Sequence, residues 1–539
     1  MSESHISTVL LGMVGHGHLR SFNDLDQIDG VTAALSLFKM AGVTLLLGVV
    51  AKILYNMYLH PLSKIPGPKW YAATGLPRYR INVSGYSHSV LHDLHSKYGE
   101  VVRVGPNEVS FTAPKAWSEV YGQKRVAGTG GHGHDFLENA KQKLFFDNVT
   151  MRGSLLSMEK NAHIAARKNL NSAFSAQAVA DQEVIVKRHI DMAIKLMHDA
   201  VATSAATKSG VDIASFINWT LFDVIGDLGF GEAFGSLENG AEHAWVSMIP
   251  TAVQTAARSA NVVCLLGERL GNLAMGFLVS KELRQKLTWH RSMASDKFER
   301  RRTLGQGRPD FMSPMFDDPE FWTHARMRAT ITTFITAGSE TSSTTLASAV
   351  YYLSSVKAEP GDISALAKLR AELDAHFTSD DQITFSSVRN LPFLSAVIDE
   401  TMRLHPAAVT TFPRETREGG IVVEGYYLPE NTAIGIAQYS MFRNQRNFHI
   451  AEKFMPQRWL GTDSRFASDR KDAFQPFSYG PRNCIGRYLA YAEMRSILAR
   501  IVFNFDFELR PESYNWVDQR SFNIWDKGPL YVNLTHRVK

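Results

Sequence analysis

The run Phe477-Ser478-Tyr479-Gly480-Pro481-Arg482-Asn483-Cys484-Ile485-Gly486 decides how this chain is read. Helical periodicity resumes at once, from Arg487 through Val502, so Cys484 stands where a loop enters a helix. A thiol at such a junction has its pKa lowered by the helix dipole and by unpaired amide donors. Gly480 and Gly486 carry no side chain where a flat macrocycle would approach the backbone. Arg482 offers a planar fork to a carboxylate, and Phe477 shields the sulfur from water. A lone cysteine is by default a small buried hydrophobe, and Cys264 is read that way. Cys484 is read as the ligand of a cofactor metal.

Composition sets the outer limits. The 539 residues, 45% hydrophobic and 21% charged, describe a globular chain and exclude a disordered or fibrous one. Lys and Arg number 58 against 53 Asp and Glu, a formal charge of +5 that is weak over this length. The longest basic run, Arg300-Arg301-Arg302, ends a helical stretch, where cations complement the dipole, so no nucleic acid is expected as a partner. Two cysteines exclude a disulfide framework and any four-cysteine zinc or iron–sulfur site.

Residues 1–30 are mostly polar, and a hydrophobic region follows over 31–59, broken by Lys39, Lys52 and Asn56. Met40 to Leu59 is 20 residues, about 30 Å of helix at roughly 1.5 Å per residue, enough to cross a bilayer. Its uninterrupted apolar part, Met40 to Ala51, is only twelve residues, so a buried core helix is the other reading. The proline-rich stretch at 60–70 favours an anchor, because His60-Pro61 through Pro66-Gly67-Pro68 cannot continue a helix. It reads as a stiff hinge. A signal peptide fits worse, since Arg20 is the only Lys or Arg before Val31. Lys52, Lys64 and Lys69 follow the segment and acids precede it, which puts the body in the cytosol and residues 1–30 in the lumen. On that topology the sequons at Asn82, Asn148, Asn218 and Asn533 go unglycosylated.

Residues 71–539 read as one domain, mainly α with small β-sheets. Helical patterns cover Asp212 to Leu228, Ala241 to Ala257 and Thr323 to Val356. Strand patterns cover Val101 to Val104, Glu108 to Thr112, Ile421 to Tyr427 and Leu530 to Leu534. Gly128-Thr129-Gly130-Gly131-His132-Gly133 matches GxGxxG literally, but Gln123-Lys124-Arg125 precedes it instead of an apolar strand, so it reads as a loop. His132 and His134 in that loop read as solvated rather than metal-binding.

At Phe477, Gly480, Arg482, Cys484 and Gly486 the chain resembles the cytochrome P-450 family, whose signature is FxxGxRxCxG. The resemblance runs from the anchor and hinge to the C-terminus. It implies the cytochrome P-450 fold, a single large heme domain behind an N-terminal transmembrane helix, with heme b as cofactor and Cys484 as axial iron ligand. His163-Ile164-Ala165-Ala166-Arg167 resembles the family's C-helix element, and the pair one turn apart can face one propionate. Ala337-Gly338-Ser339-Glu340-Thr341 resembles the oxygen-activation motif inside the longest helix, where glycine beside hydroxyl residues opens a groove. The resemblance makes Thr341 the residue that hydrogen-bonds bound oxygen and Glu340 the acid feeding the proton relay. Glu400 and Arg403, joined by the later Arg458, resemble the buried structural network that positions the cysteine loop. Gln457 stands where the family often has Glu, which leaves those three members untouched. Arg414 in Pro413-Arg414-Glu415-Thr416 resembles a further propionate partner. Val409 to Phe412, residues 125–150, and Phe522 to Trp525 correspond to segments bordering the substrate.

What the resemblance implies is a membrane-anchored heme-thiolate monooxygenase acting on an apolar small molecule with O2. The thiolate favours O–O cleavage, and the cofactor supplies the hard chemistry. The chain ends about 55 residues past Cys484 with no flavin module, so an NADPH-dependent cytochrome reductase is expected as partner, with Arg487 and Arg495 as contacts. The wording at Pro413 to Thr416 and at Val211 to Gly226 is similar to fungal members of secondary metabolism, single-pass in the endoplasmic reticulum membrane. Two other readings stay open: a heme-thiolate desaturase or rearrangement enzyme without net oxygen insertion, and a non-catalytic heme sensor or carrier.

Overall fold

The computed structural model describes residues 30–125, 136–149, 151–207, 209–305 and 307–538. The polar tail at 1–29 and the glycine loop with His132 and His134 lie outside the described residues. The chain divides into two compact units, Met1–His60 and Pro61–Lys539.

In the first unit, α1 (Gly30–Leu54) runs into a π-type turn, Tyr55–Leu59. Leu35–Leu59 has a mean hydropathy of 2.0 over its most apolar window, and none of that window is buried. A helix that is apolar all round and unburied is a candidate membrane span. Among the described residues one other helix is long and apolar enough, Ile213–Phe230 with a hydropathy of 1.2, but it is 72% buried and is a core element.

The second unit begins with the proline stretch, which packs into the body. Leu62 and Ile65 are buried among Val101, Val109 and Phe111. A Cβ at Gly67 would come within 2.4 Å of the Arg103 carbonyl oxygen, so only glycine lets the segment lie this close to the first strand. The helices that form the core are α2 (Lys160–Leu170), α3 (Ala176–Thr207), α4 (Ile213–Phe230), α5 (Ile249–Leu266), α6 (His324–Ser355), α7 (Pro392–Leu404) and α8 (Arg487–Asn504). Helix α6 is central and packs on α4, α7 and α8. The Thr323 hydroxyl accepts from the Arg326 N–H at its start, and the chain turns extended at Val356. Its 32 residues span about 48 Å.

A five-stranded sheet lies to one side, built from β1 (Val101–Gly105), β2 (Glu108–Phe111), β3 (Ala140–Lys141), β4 (Arg414–Glu415) and β5 (Ala433–Ile436) in the order β1-β2-β5-β4-β3. Only the β2–β5 pairing within it is parallel. A second sheet joins Phe505–Leu509, Tyr531–His536 and Val211–Asp212.

Two sequence expectations change. The pattern over Ala241 to Ala257 is two helices, Ala244–Ser247 and then α5, because Pro250 lacks the N–H that would carry one helix through. The run from Ile421 to Tyr427 is a hairpin, Ile421–Val423 against Tyr426–Leu428, turned at Glu424 and Gly425 with φ of 49° and 80°.

Glu400 and Arg403 share one face of α7, where Arg403 donates from Nε and Nη2 to the two carboxylate oxygens, each at 2.8 Å. Arg458 Nε reaches Glu400 Oε1 at 3.0 Å, and its Nη1 reaches Asp469 at 2.6 Å. The side chains of Glu400, Arg403 and Arg458 are all 0% exposed. Trp459 Nε1 and the Met455 N–H also donate to Glu400. Burial pushes the Glu400 carboxyl up, but the guanidiniums and the Met455 N–H outweigh it, so its pKa ends below the ordinary 4.5. The stabilisation is therefore complete above pH 4.5 and is lost as pH falls through the depressed value. Arg403→Ala strands a buried carboxylate and is expected to cost about 3–5 kcal/mol. Urea unfolding would show it, and an unchanged midpoint with normal heme content would contradict it.

Candidate functional site

Cys484 lies two residues before the Gly486 cap of α8, with its N–H bonded to the Phe477 carbonyl at 2.9 Å. Before it, Gly480–Arg482 forms one 3-10 turn. A Cβ at Gly480 would sit 2.1 Å from the Tyr121 carbonyl oxygen, so this glycine serves the approach of the loop to Tyr121. Gly486 differs. The nearest atom to a Cβ there is Cys484 Sγ at 4.0 Å, which leaves open space beside the sulfur. Phe477 packs on Tyr491 with centroids 5.1 Å apart, under Arg487.

The thiol does not behave as its position suggests. Burial raises the Cys484 pKa, and the Gly486 N–H with Arg167 and Arg487 only partly offset that. Yet the side chain is solvent-accessible. Both hold if the sulfur faces an enclosed internal space rather than bulk water. Cys264 is likewise accessible, and burial with Glu108 and Glu415 nearby pushes it up to about 12, so it is an inert thiol.

Beside this loop the structure gathers positive charge. Strand β3 pairs with β4 so that Lys141 lies directly opposite Arg414. Like charges opposite one another on adjacent strands are destabilising unless an anion joins them. Arg414 is 7% exposed, and its Nε and Nη1 have no hydrogen-bond partner among the described residues. Burial pushes Arg414 down to about 10, and Lys141, beside Arg482 and Arg414, down to about 6. His163, on α2, is pushed to about 3 by burial and by Arg482, Lys141, Arg167 and Arg414, so it is a neutral imidazole. Arg167, one turn on, grips the cysteine loop through the Asn483 carbonyl at 2.8 Å and the Asn483 Oδ1 at 3.1 Å. The Arg482 fork takes Glu138 at 3.1 and 2.7 Å and the Met158 carbonyl at 2.9 Å.

Arg414, Arg482, Arg167 and Lys141 therefore converge on His163 where Glu138 and Glu159 are the nearby acids, and Arg414 keeps two N–H groups without a partner among the described residues. Such a donor set suits a group with two carboxylates, and open space at Gly486 suits a flat ring beside the sulfur. These residues fit a heme. The sequence reading missed Lys141, because only the pairing of β3 with β4 brings it to Arg414.

Helix α6 runs unbroken through Ala337 to Thr341. Gly338 does not open it: a Cβ there would meet the Ile225 side chain at 2.7 Å, so this glycine admits α4. Thr341 Oγ1 donates back to the Ala337 carbonyl at 2.7 Å. Thr333, Ala337 and Thr341, spaced by four, form an accessible stripe on a helix otherwise mostly buried at this level. Glu340 points elsewhere. Its carboxylate is 4% exposed and pairs with Lys527 Nζ at 2.9 Å.

A cavity of about 500 Å³ reaches none of these groups. Phe145, Val409, Phe412, Leu265, Phe522 and Asn523 are among its walls. Val409 to Phe412, Phe522 and Asn523 in these walls belong to segments expected to border a substrate. For the cationic cradle, Arg414→Met should weaken heme retention about tenfold or more, since a charge-assisted hydrogen bond is worth about 1.5–3 kcal/mol. Heme per mole of protein after gel filtration, with helicity by circular dichroism as control, reads this directly, and unchanged retention would refute it.

A family model described as Cytochrome P-450 matches residues 65–525. The cytochrome P-450 monooxygenase astJ of Aspergillus oryzae is 36% identical over 496 residues, covering 90% of this chain and 94% of its own length. Trichothecene C-15 hydroxylase of Fusarium sporotrichioides is 36% identical over 513 residues, covering 93% and 98%. The cytochrome P-450 monooxygenase tpeC of Talaromyces stipitatus is 34% identical over 510 residues, covering 94% and 96%. The matched span takes in Cys484, the cations around it and the Thr341 stripe, and by that match the chain belongs to the cytochrome P-450 family of heme-iron monooxygenases.

Proposed function

We propose that the protein uses heme b to insert one atom of dioxygen into a C–H or C=C bond of an apolar intermediate of fungal secondary metabolism. The observation that carries this is the accessible Cys484, with Arg167 acting on its thiol and, in the same basic cluster, a buried Arg414 that keeps two N–H groups unpartnered among the described residues. When bound, a heme held by a thiolate supplies reductive dioxygen activation and oxygen-atom transfer. One oxygen enters the substrate, and the other leaves as water with two electrons and two protons.

Cys484 would supply the sulfur ligand, and the loop holding it is fixed by Arg167 on Asn483. Arg414, Lys141, Arg482 and His163 would hold the heme's carboxylates, His163 as a neutral N–H donor. Phe477 and Tyr491 would keep water from the Cys484 loop. Thr341, on the accessible stripe of α6, holds a proton at Oγ1 for the reacting oxygen, and Glu340 restores it. Phe412, Phe145 and Phe522 guide an apolar substrate inward.

Electrons come from an NADPH-dependent reductase docking on the cysteine side. Arg487, exposed at the first turn of α8, suits that contact better than Arg495, whose Nε donates to Ser395 Oγ at 3.1 Å. The Leu35–Leu59 helix anchors the protein in the endoplasmic reticulum membrane with residues 61–539 in the cytosol.

Microsomes carrying the protein, reductase and NADPH, fed the metabolite that accumulates in a host lacking it, should give a product labelled from heavy-isotope dioxygen. An unlabelled product would move the assignment to desaturation or rearrangement, and no turnover would favour a carrier. Separately, Cys484→Ser should abolish the red-shifted band of the reduced carbon monoxide complex. Its survival would sink the ligand assignment.

A further inference from the structure

Strand β4 serves two sites. Successive residues of a strand point to opposite sides of the sheet, so Arg414 turns to the cationic cluster while Glu415 is among the walls of the cavity of about 500 Å³. Glu415 stands opposite Ala140 on β3 and Ala433 on β5, and Ala433 stands opposite Glu108 on β2. One row across the sheet thus reads Glu415, Ala433, Glu108, with the two acidic residues about 10 Å apart along the backbone ladder. An alanine on each side gives Glu415 room and no cross-strand partner.

The two acids differ in what they hold. Glu108 is taken: Arg78 Nε donates to its two oxygens at 3.0 and 3.2 Å, and Arg78 Nη1 donates to Asn82 Oδ1 at 2.8 Å. Asn82 in turn donates to Asn261 on α5 at 2.6 Å, and Asn261 to the Ala257 carbonyl at 2.7 Å. The half-buried Glu415 carboxylate has no hydrogen bond or ion pair among the described residues. Burial raises its pKa above the ordinary 4.5 with nothing to offset it, as for a carboxylate that has lost water without gaining a partner. Both acids act on Cys264, in the α5 wall of the same cavity. With Arg78 matched to Glu108, the negative charge of Glu415 is left uncompensated.

The rest of the lining suits a small amphiphile. Phe145, Phe412, Phe522 and Leu265 give it apolar surface. The buried Ser521 Oγ and the Asn523 Nδ2, both without a partner among the described residues, add hydrogen-bonding groups from the Ser521–Phe522/Ile524–Trp525 hairpin. The volume of about 500 Å³ is that of a small-molecule site. Buried polar groups in folded proteins are nearly always paired, so unsatisfied ones around a single space mark where a ligand's polar atoms belong.

We propose that this cavity receives an apolar substrate carrying a protonated amine, and that Glu415 is the carboxylate that selects it. An ammonium brings a positive charge and up to three donors to a group that only accepts, and a neutral hydroxyl brings no charge. That the amine-bearing molecule is the one oxidised rests on the oxygen-insertion reading; its binding does not.

Binding is read without turnover, on the full-length holoprotein in nanodiscs. The heme is kept as the reduced carbon monoxide complex, so that an amine cannot take the iron. The probes are naphthylethylamine and naphthylethanol, alike in shape, at about pH 7, where an alkylamine is protonated. Equilibrium dialysis, with empty discs as the blank, gives the affinity of each for wild type, Glu415→Gln and Glu415→Thr. The carbon monoxide band checks heme and fold.

Wild type should prefer the amine about tenfold, the scale of one charge-assisted hydrogen bond. Glu415→Gln should remove that preference by weakening the amine alone, with alcohol binding within about twofold of wild type. Were Glu415→Gln to lose its heme, Glu415→Thr gives the same reading. Equal binding of amine and alcohol to wild type, or an amine preference that survives both variants, overturns the proposal. The isotope experiment separates it from the reading beneath it. A labelled product with no basic nitrogen overturns the amine class and leaves oxygen insertion standing. Amine selectivity that depends on Glu415, with no labelled product, removes oxygen insertion and leaves the binding site standing.

Discussion

The carboxylate of Glu400 sits where no water reaches, and two guanidiniums, an indole and a backbone N–H converge on it. Such an ion in the interior is tolerable only with its partners complete. The partners come from far apart in the chain: Arg403 from α7, and Met455, Arg458 and Trp459 from the segment that leads toward the cysteine loop. Arg403 further holds the carbonyls of Phe442, Ala451 and Lys453. One buried charge therefore fixes a long irregular stretch that has little regular hydrogen bonding of its own. The loop of Cys484 inherits its position from that stretch and from Arg167 on α2.

The second constraint is electrostatic and points the other way. Around Glu400 charges are balanced; around Arg414 they are not. Lys141 opposite Arg414, with Arg482 and Arg167 close by, is a costly arrangement for an isolated protein, and burial depresses Arg414, Lys141 and His163 together. Such a cluster is suited to an anionic guest. The same chain thus uses buried charge twice, once closed upon itself as scaffold and once left open as a cradle.

Much of the architecture is legible in local pattern. Thr323 to Val356 reads as one long helix because a hydroxyl cap and an apolar period mark it, and it spans His324–Ser355. Local pattern failed where a single residue redirects the chain. Pro250 splits an amphipathic run into two helices, and Glu424 with Gly425 folds one strand-like run into a hairpin. Glycine was the least legible residue. Gly338 and Gly480 suggested a loosened helix and room for a ring, but each admits a neighbouring element: Ile225 at the first, the Tyr121 carbonyl at the second.

By itself the sequence determined the family signature, the cysteine at a loop–helix junction, the apolar segment near one end and the mainly helical class. Each is written in residues adjacent or one turn apart, where spacing alone fixes geometry. Only the tertiary structure decided that Lys141 faces Arg414, that Arg482 is clasped by Glu138, that Lys527 holds Glu340 and that burial raises the Cys484 thiol. Those facts depend on which distant segments share a dry interior. Desolvation and partner choice are properties of the packed molecule, and no short stretch of sequence contains them.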